Sequence, residues 1–209
     1  MPPRFAPLLL LWLFLAGPVL AEVPARFSEG AFAAWRDARP DRQTQFTAFQ
    51  SFLTHNGVAD VLPAYQLWRT SSSSEKCQSD AFIIPERADW PHIVTTLRFV
   101  RDQVRPAIGP VEAVSGYRDD VLNTCSGGAK RSAHRNYYAL DLVPLTAGLD
   151  RATLIKRMCA VHAAHGAQYS VGLGFYSARR FHVDSKSFRR WGPDGTGKTS
   201  PCNASVDGL

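Results

Sequence analysis

The stretch "SAHRNYYALDLVP", residues 132–144, places a histidine and an aspartate seven positions apart at the entry to an apolar run. Asp141 stands between Leu140 and Leu142 in a segment that reads as a β-strand. An ionised carboxylate in apolar surroundings is costly unless a partner or a metal ion meets it. The stretch therefore predicts a strand that carries a polar site.

A second histidine with the same kind of neighbours lies further along the chain. His182 stands between Phe181 and Val183 in another predicted strand. Two imidazole nitrogens and one carboxylate oxygen suit tetrahedral zinc with one position left open for water. Convergence of His134, Asp141 and His182 on one Zn²⁺ would let Asp141 stay ionised among apolar residues.

Helices and strands are expected on both sides of this stretch. Helical periodicity and capping residues predict helices in these segments: "FSEGAFAAWRDARP" after Ser28, "DRQTQFTAFQSFLTHNG" up to Asn56-Gly57, "DWPHIVTTLRFVRDQVRPAIG" from Asp89 to Pro106, "DDVLNTCSGGAKRS" and "DRATLIKRMCAVHAAHG". Alternation predicts strands in "AYQLWRT", "VEAVSGYR", "YYALDLVP" and "YSVGLGFYSARRFHVDS", the last being a hairpin around Ser177-Ala178. This order predicts an α+β fold: a small antiparallel sheet that carries the zinc site, helices packed on it and an N-terminal helical extension.

The N-terminus has the layout of a secretory signal peptide. Arg4 precedes an apolar run, and small residues lead to Ala21, after which we expect cleavage. An uncleaved anchor is the alternative, and no stable membrane span is expected after cleavage. Residues 22–209 are expected to form one domain, with a helical extension and loop over 22–80, a metal-site core over 81–192 and a tail over 193–209. The protein is therefore expected to be exported, either periplasmic or secreted.

The charge of the chain indicates what it does not bind. The formal net charge is +6, and the basic residues are scattered in short groups such as Lys130-Arg131. The sequence has no long basic run interleaved with aromatic residues, the pattern that would indicate a nucleic-acid partner. A mildly basic surface on an exported protein suits an anionic polymer of the cell envelope better.

Four cysteines, none of them in a CxxC motif, favour disulfides in an exported protein. Four cysteines allow three pairings, and the sequence does not choose among them. The pairing we expect is Cys77 with Cys125 and Cys159 with Cys202, which would attach a loop and the tail to the domain.

Two longer stretches, "SGYRDDVLNTCSGGAKRSAHRNYYALDLVP" and "GLGFYSARRFHVDSKSFRRW", contain further motifs in a fixed order. They are SGYR, an Asn, Gly-Gly-Ala, SxH with an Asp seven residues on, a GxGxY strand, HVD and Arg-Trp. In this the chain resembles the zinc peptidoglycan peptidases of the D-alanyl-D-alanine carboxypeptidase type, relatives of vancomycin-resistance dipeptidases and phage endolysin peptidases. The ordered combination is far more specific than any single motif.

The resemblance implies a zinc-dependent peptidase that acts on peptidoglycan stem peptides, with carboxypeptidase preferred over endopeptidase activity. It puts the zinc ligands at His134, Asp141 and His182. It also implies that Arg118 faces the substrate carbonyl oxygen and stabilises the oxyanion, and that Ser132 lines the substrate pocket. The alternative for Arg118 is a structural ion pair with the aspartates that follow it.

The chain departs from the pattern of this family at two places. Similar peptidases often carry an acidic residue or a histidine two or three positions before the last zinc ligand, where this chain has Arg179 and Arg180. Asp184 is the expected substitute, either as a proton acceptor or as the residue that orients His182. Tyr137 stands where relatives often have glycine, and it either reshapes the loop or narrows the pocket. The missing acid also motivates an alternative function, a non-catalytic envelope protein that binds muropeptides through a retained zinc site.

Other residues are weaker candidates for the site. His162 and His165 stand three positions apart on a predicted helix, and they are the alternative metal ligands if His134 is not one. Trp191 and Tyr117 either flank the cleft or pack in the core.

Overall fold

The structure is a computed structural model that describes residues 23–204. The predicted signal peptide, residues 1–21, lies outside the described residues. Between residues 23 and 204, no helix combines the length and the apolar character needed to cross a bilayer.

The secondary structure follows an α+β order. The helices are α1 Glu29–Asp37, α2 Pro40–His55, α3 Trp90–Phe99, α4 Arg105–Ile108, α5 Asp120–Cys125 and α6 Arg151–His165. The strands are β1 Val111–Ser115, β2 Ala139–Pro144, β3 Gly172–Phe175, β4 Phe181–Asp184 and β5 Arg189–Trp191. They form one five-stranded sheet in the order β1-β2-β4-β3-β5, antiparallel except for the parallel pair β3 and β5. The predicted fold class is confirmed.

The two faces of the sheet have different chemistry because side chains alternate along a strand. Asp141 of β2 is opposite His182 of β4, which is opposite Gly174 of β3, so these residues share one face. Leu140 and Val183 are paired on the other face and belong to the hydrophobic core. This alternation explains how a carboxylate stands between two buried leucines.

The helical N-terminal segment forms as the sequence predicts. The Ser28 hydroxyl accepts a hydrogen bond from the Ala31 amide and caps α1, and Gly57 follows α2 with a φ of +67°. Phe46 and Phe49 of α2 pack around the fully buried Trp68. The aromatic stripe of α2 is therefore core packing.

The strand predicted for "AYQLWRT" is wrong, because residues Ala64–Trp68 form a 3₁₀ helix. This segment lies against β1 without joining the sheet. The Gln66 side chain accepts a hydrogen bond from the Ala113 amide, and Arg69 donates to the Ala113 carbonyl. Side chains thus satisfy backbone groups on the outer edge of β1, which prevents that edge from pairing with another strand.

The helix that begins after Asp89 does not end at Pro106 as predicted. A π-helical turn, Val100–Val104, joins α3 to α4, and the helix continues to Ile108. Proline lacks an amide hydrogen and clashes with the carbonyl four residues earlier, and the wider turn accommodates both defects. The helix ends at Gly109, whose φ of +81° favours glycine.

The hairpin of β3 and β4 is confirmed, but β5 was not expected from the sequence. It has three residues, two of them arginines, and so carries no alternation of apolar and polar side chains. Its pairing with β3 is decided by the tertiary structure alone.

Both expected disulfides are present, Cys77–Cys125 and Cys159–Cys202. The first attaches the serine-rich loop after the 3₁₀ helix to the end of α5. The second attaches the C-terminal segment to α6. Two disulfides fit an exported protein. The boundaries proposed for the extension, the core and the tail stay predictions.

Candidate metal centre

His134, Asp141 and His182 meet at one point of the sheet. His134 belongs to a short 3₁₀ helix, Ala133–Asn136, just before β2, whereas the other two face each other on β2 and β4. His182 Nδ1 lies 3.1 Å from Asp141 Oδ1 and 3.2 Å from His134 Nε2. His134 Nε2 lies 3.3 Å from Asp141 Oδ1. All three residues are buried, and together they could hold a metal ion.

The spacing of these donor atoms fits a tetrahedral ion. Ligands about 2.0 Å from zinc at the corners of a tetrahedron lie about 3.3 Å from one another. The three observed separations are 3.1, 3.2 and 3.3 Å. Three corners of such a tetrahedron are therefore formed by the chain.

Hydrogen bonds at the outer nitrogens determine which ring atoms face the centre. His134 Nδ1 lies 2.5 Å from the Gly116 carbonyl, which can only accept a hydrogen bond. His182 Nε2 lies 2.8 Å from the Asp184 carboxylate. Each outer nitrogen therefore carries a hydrogen, and in the neutral imidazole the inner nitrogen presents a lone pair. Two lone pairs and a carboxylate oxygen at this distance repel one another unless a cation lies between them.

The electrostatics of the group favour the ligand states of His134 and Asp141 and a positive charge beside Asp141. Burial, together with the charge of Arg118, lowers the pKa of His134 to about 4, so its imidazole is neutral. Burial raises the pKa of Asp141, but the neighbouring histidines and Arg118 hold that pKa well below its usual value. Burial alone would lower the pKa of His182, but the carboxylates of Asp141 and Asp184 outweigh burial, and the pKa is raised above its usual value. The centre attracts positive charge.

Arg118 lies beside the same group. Its Nη2 is 3.4 Å from Asp141 Oδ2, and its Nε is buried without a hydrogen-bond partner among the described residues. The expected alternative, an ion pair with the next aspartates, is absent here: Asp119 caps α5 and Asp120 pairs with Arg135.

A cavity of about 810 Å³ opens onto the centre. Its wall includes Arg118 and Ser132 as well as all three residues of the metal-binding group. Ser132 also caps the 3₁₀ helix of His134, because its hydroxyl accepts a hydrogen bond from the His134 amide. The cavity gives a peptide-sized ligand access to the buried metal-binding group.

The model of one protein family, peptidase M15, matches residues 67–184, more than half of the 209-residue chain. The chain belongs to the peptidase M15 family. This confirms the family that the ordered motifs indicated, and with it a peptidase. No curated protein and no solved structure matches the chain significantly.

In this M15 peptidase, Asp184 lies behind His182 and does not line the cavity. Arg189 of β5 donates to both of its carboxylate oxygens, at 2.8 and 2.9 Å. Burial raises the pKa of Asp184, but hydrogen bonds from His182 and Arg189 outweigh it and bring the pKa to about 2. Asp184 is thus an ionised acceptor for His182.

Tyr176, the tyrosine of the GxGxY motif, is a cavity residue to which the sequence assigned no role. Its hydroxyl donates to Asp141 Oδ1 at 2.9 Å, and it lines the cavity beside Trp191. The two-residue period of a strand could have predicted this position, because it puts Tyr176 on the same face as Gly172 and Gly174. A β-carbon at Gly174 would lie 2.0 Å from the Trp191 indole, so the glycine makes room for that ring.

Tyr137 does not narrow the pocket of the M15 peptidase. Its φ of +57° is in the left-handed region, which fits the glycine found in similar peptidases. The ring is buried in the core against Phe49, and its hydroxyl donates to the Leu67 carbonyl at 3.1 Å. Tyr137 therefore connects the loop between the ligands to the N-terminal segment. Tyr117 packs edge to face against it and does not line the cavity.

The alternative histidines lie elsewhere. His162 is buried on α6, where its Nε2 donates to the Val171 carbonyl and its ring stacks on Phe188. His165 is exposed. Among residues 23–204, His134, Asp141 and His182 form the group that could hold a metal.

Proposed function

We propose that the chain is a zinc-dependent peptidase that hydrolyses peptide bonds of peptidoglycan stem peptides, with a D-alanyl-D-alanine carboxypeptidase type of activity. The observation that carries the proposal is the set of three inward-facing donor atoms, 3.1 to 3.3 Å apart, at the wall of a peptide-sized cavity. Membership of the peptidase M15 family supports the class of reaction. The resemblance of the motifs supports the substrate.

In peptide hydrolysis, Arg118 and Ser132 would have different roles beside the metal. Zinc, when bound, would acidify water and polarise the peptide carbonyl. Arg118 would donate hydrogen bonds to the carbonyl oxygen as negative charge develops on it, because a guanidinium stays charged at every working pH. Its unpartnered Nε supports this role. Ser132 would contact the substrate from the cavity wall.

Asp184 is proposed as a positioning residue. Its carboxylate accepts the outer N–H of His182 and keeps the inner nitrogen free for a metal. Its position behind the imidazole keeps it away from a peptide in the cavity. Of the two roles considered for it, orientation of His182 is the one that the geometry favours.

Export is part of the proposal. The N-terminal sequence predicts a signal peptide, and two disulfides fit an oxidising compartment. We therefore place the activity in the periplasm or outside the cell, where stem peptides occur.

One observation favours a second function, muropeptide binding without cleavage. Among the described residues that line the cavity, the carboxylates are Asp141 and Asp194. The first belongs to the metal-binding group, and the second accepts hydrogen bonds from Thr196 and Thr199. Neither is a free carboxylate that could serve as general base.

Metal analysis and digestion of muropeptides test both functions. The purified protein should contain close to one zinc per chain, and His134→Ala and His182→Ala should lose it. His165→Ala, an exposed histidine, is the matched control and should keep it. Cleavage that stops with a chelator and returns with zinc supports the peptidase, whereas zinc-dependent binding without cleavage supports the binding protein. A protein without metal and without cleavage contradicts both.

A further inference from the structure

Four cations line the cavity without a carboxylate within 4.0 Å in the part of the chain that the structure describes. They are Lys130, Arg131, Arg180 and Lys186. Cavity residue Arg189, by contrast, is paired with Asp184. The wall of the cavity therefore carries an excess of positive charge that no neighbouring side chain neutralises, and such a wall attracts anionic ligands.

Arg180 is the most precisely held of these cations. Its guanidinium carbon lies 4.0 Å from the centre of the Tyr176 ring, a cation–π contact. Its Nη1 also lies 3.4 Å from the hydroxyl of Ser72, one of three consecutive serines that line the cavity. Tyr176 in turn donates a hydrogen bond to Asp141, so the Tyr176 ring lies between the Arg180 guanidinium and the metal-binding group.

We propose that Arg180 and Ser72 form a subsite for a side-chain carboxylate of the substrate, separate from its C-terminal carboxylate, so that the enzyme prefers acidic peptides. The inference rests on the proposed peptidase function and narrows its substrate class. A guanidinium presents parallel N–H groups that match the two oxygens of a carboxylate, and stacking on Tyr176 fixes its plane. The cations Lys130, Arg131 and Lys186 would add attraction without fixed geometry.

Arg179 provides a matched control within the same turn. It carries the same charge one position earlier, but its Nη1 donates to the Leu149 carbonyl at 3.3 Å and it does not line the cavity. Arg179→Gln and Arg180→Gln therefore remove equal charge from neighbouring positions, and only the second removes it from the cavity.

The experiment compares two stem pentapeptides that differ only in whether their side-chain carboxylates are free or amidated. Binding is measured by calorimetry with versions in which the D-residue amides are N-methylated and resist cleavage. Cleavage of the unmethylated pair is followed in parallel. Wild type should bind the free acid about tenfold to a hundredfold more tightly than the amide, the usual range for a lost charged hydrogen bond. Arg180→Gln should abolish that preference, and Arg179→Gln should keep it.

The outcomes separate this inference from the proposed function. The carboxylate subsite is overturned if wild type binds the two peptides equally, or if Arg179→Gln and Arg180→Gln change the preference for the free acid equally. This holds even when both peptides are cleaved. Absence of metal-dependent cleavage contradicts the peptidase, while the binding preference still decides the subsite. Arg180→Lys keeps the charge but not the planar fork, so we expect it to restore part of the preference.

Discussion

Asp141 and His182 are paired residues of neighbouring antiparallel strands, and Asp141 Oδ1 lies 3.1 Å from His182 Nδ1. Backbone hydrogen bonds between β2 and β4 therefore set the distance between two of the three donor atoms. The third donor, His134, comes from a 3₁₀ turn that Ser132 caps. The sheet thus holds two of the three candidate ligands, and the third depends on a loop.

Asp184→Asn should weaken zinc binding about tenfold to a hundredfold, the usual effect of losing a carboxylate that orients a ligating histidine. The amide cannot supply the negative charge that now accepts the His182 N–H and the two Arg189 hydrogen bonds. Competition with a chromogenic chelator measures the affinity. Asp194→Asn is the control, because that carboxylate lines the cavity but caps a surface turn. Equal zinc affinity in the two variants would contradict the positioning role.

Tyr176→Phe should lower kcat/KM about tenfold and leave the zinc content unchanged, because a hydrogen bond to a charged group contributes roughly 1.5–3 kcal/mol. The variant loses the hydrogen bond that the Tyr176 hydroxyl donates to Asp141 Oδ1. Steady-state kinetics with parallel metal analysis separates the two quantities. Tyr169→Phe loses a similar bond to Asp102, far in sequence from the site, and should keep full activity. Comparable losses in both variants would remove the case for Tyr176.

The two disulfides should differ in function although they contribute similarly to stability. They close loops of 48 and 43 residues, for each of which chain entropy predicts about 4 kcal/mol. Cys77 and Cys125 stand next to two loops that line the cavity, the one with Ser71–Ser73 and the one with Ser126–Lys130, whereas the cavity residue nearest to Cys202 along the chain, Gly195, is separated from it by a short 3₁₀ helix. Cys77→Ser/Cys125→Ser should therefore raise KM severalfold, whereas Cys159→Ser/Cys202→Ser should lower the melting temperature without changing KM. A rise in KM in the second variant alone would refute this division.

Stability should fall when the pH drops from 7 to 5, in part through His162. Burial lowers the pKa of His162 below 6.5, although the hydrogen bond to the Val171 carbonyl opposes the shift. As the pH falls through 6.5, this histidine therefore binds protons more readily in the unfolded chain than in the folded one, and its contribution makes unfolding easier. Urea unfolding at several pH values should show a smaller decrease for His162→Gln than for wild type. His165→Gln, at an exposed position, should retain the wild-type decrease, and a decrease that is the same in all three proteins would exclude His162 as a source.

The amino-acid sequence predicted the features that follow from local periodicity. Ser28, the Asn56-Gly57 stop and the alternation around Asp141 fix a helix start, a helix end and a strand face, and each depends on neighbours within a few residues. Local signals failed where distant residues decide the conformation. "AYQLWRT" alternates like a strand, yet Gln66 and Arg69 use their side chains to satisfy β1.

The sequence by itself selected His134, Asp141 and His182 as a candidate metal-binding set, because they stand in motifs whose order is specific. It also determined the family and the α+β class. Only the tertiary structure decided which nitrogen of each histidine faces the centre, that Asp184 lies behind His182, and that Tyr176 and Arg180 line the cavity beside the group. The physical reason is that strand pairing and hydrogen bonds between distant segments set these distances, and such contacts leave no periodic trace in the chain.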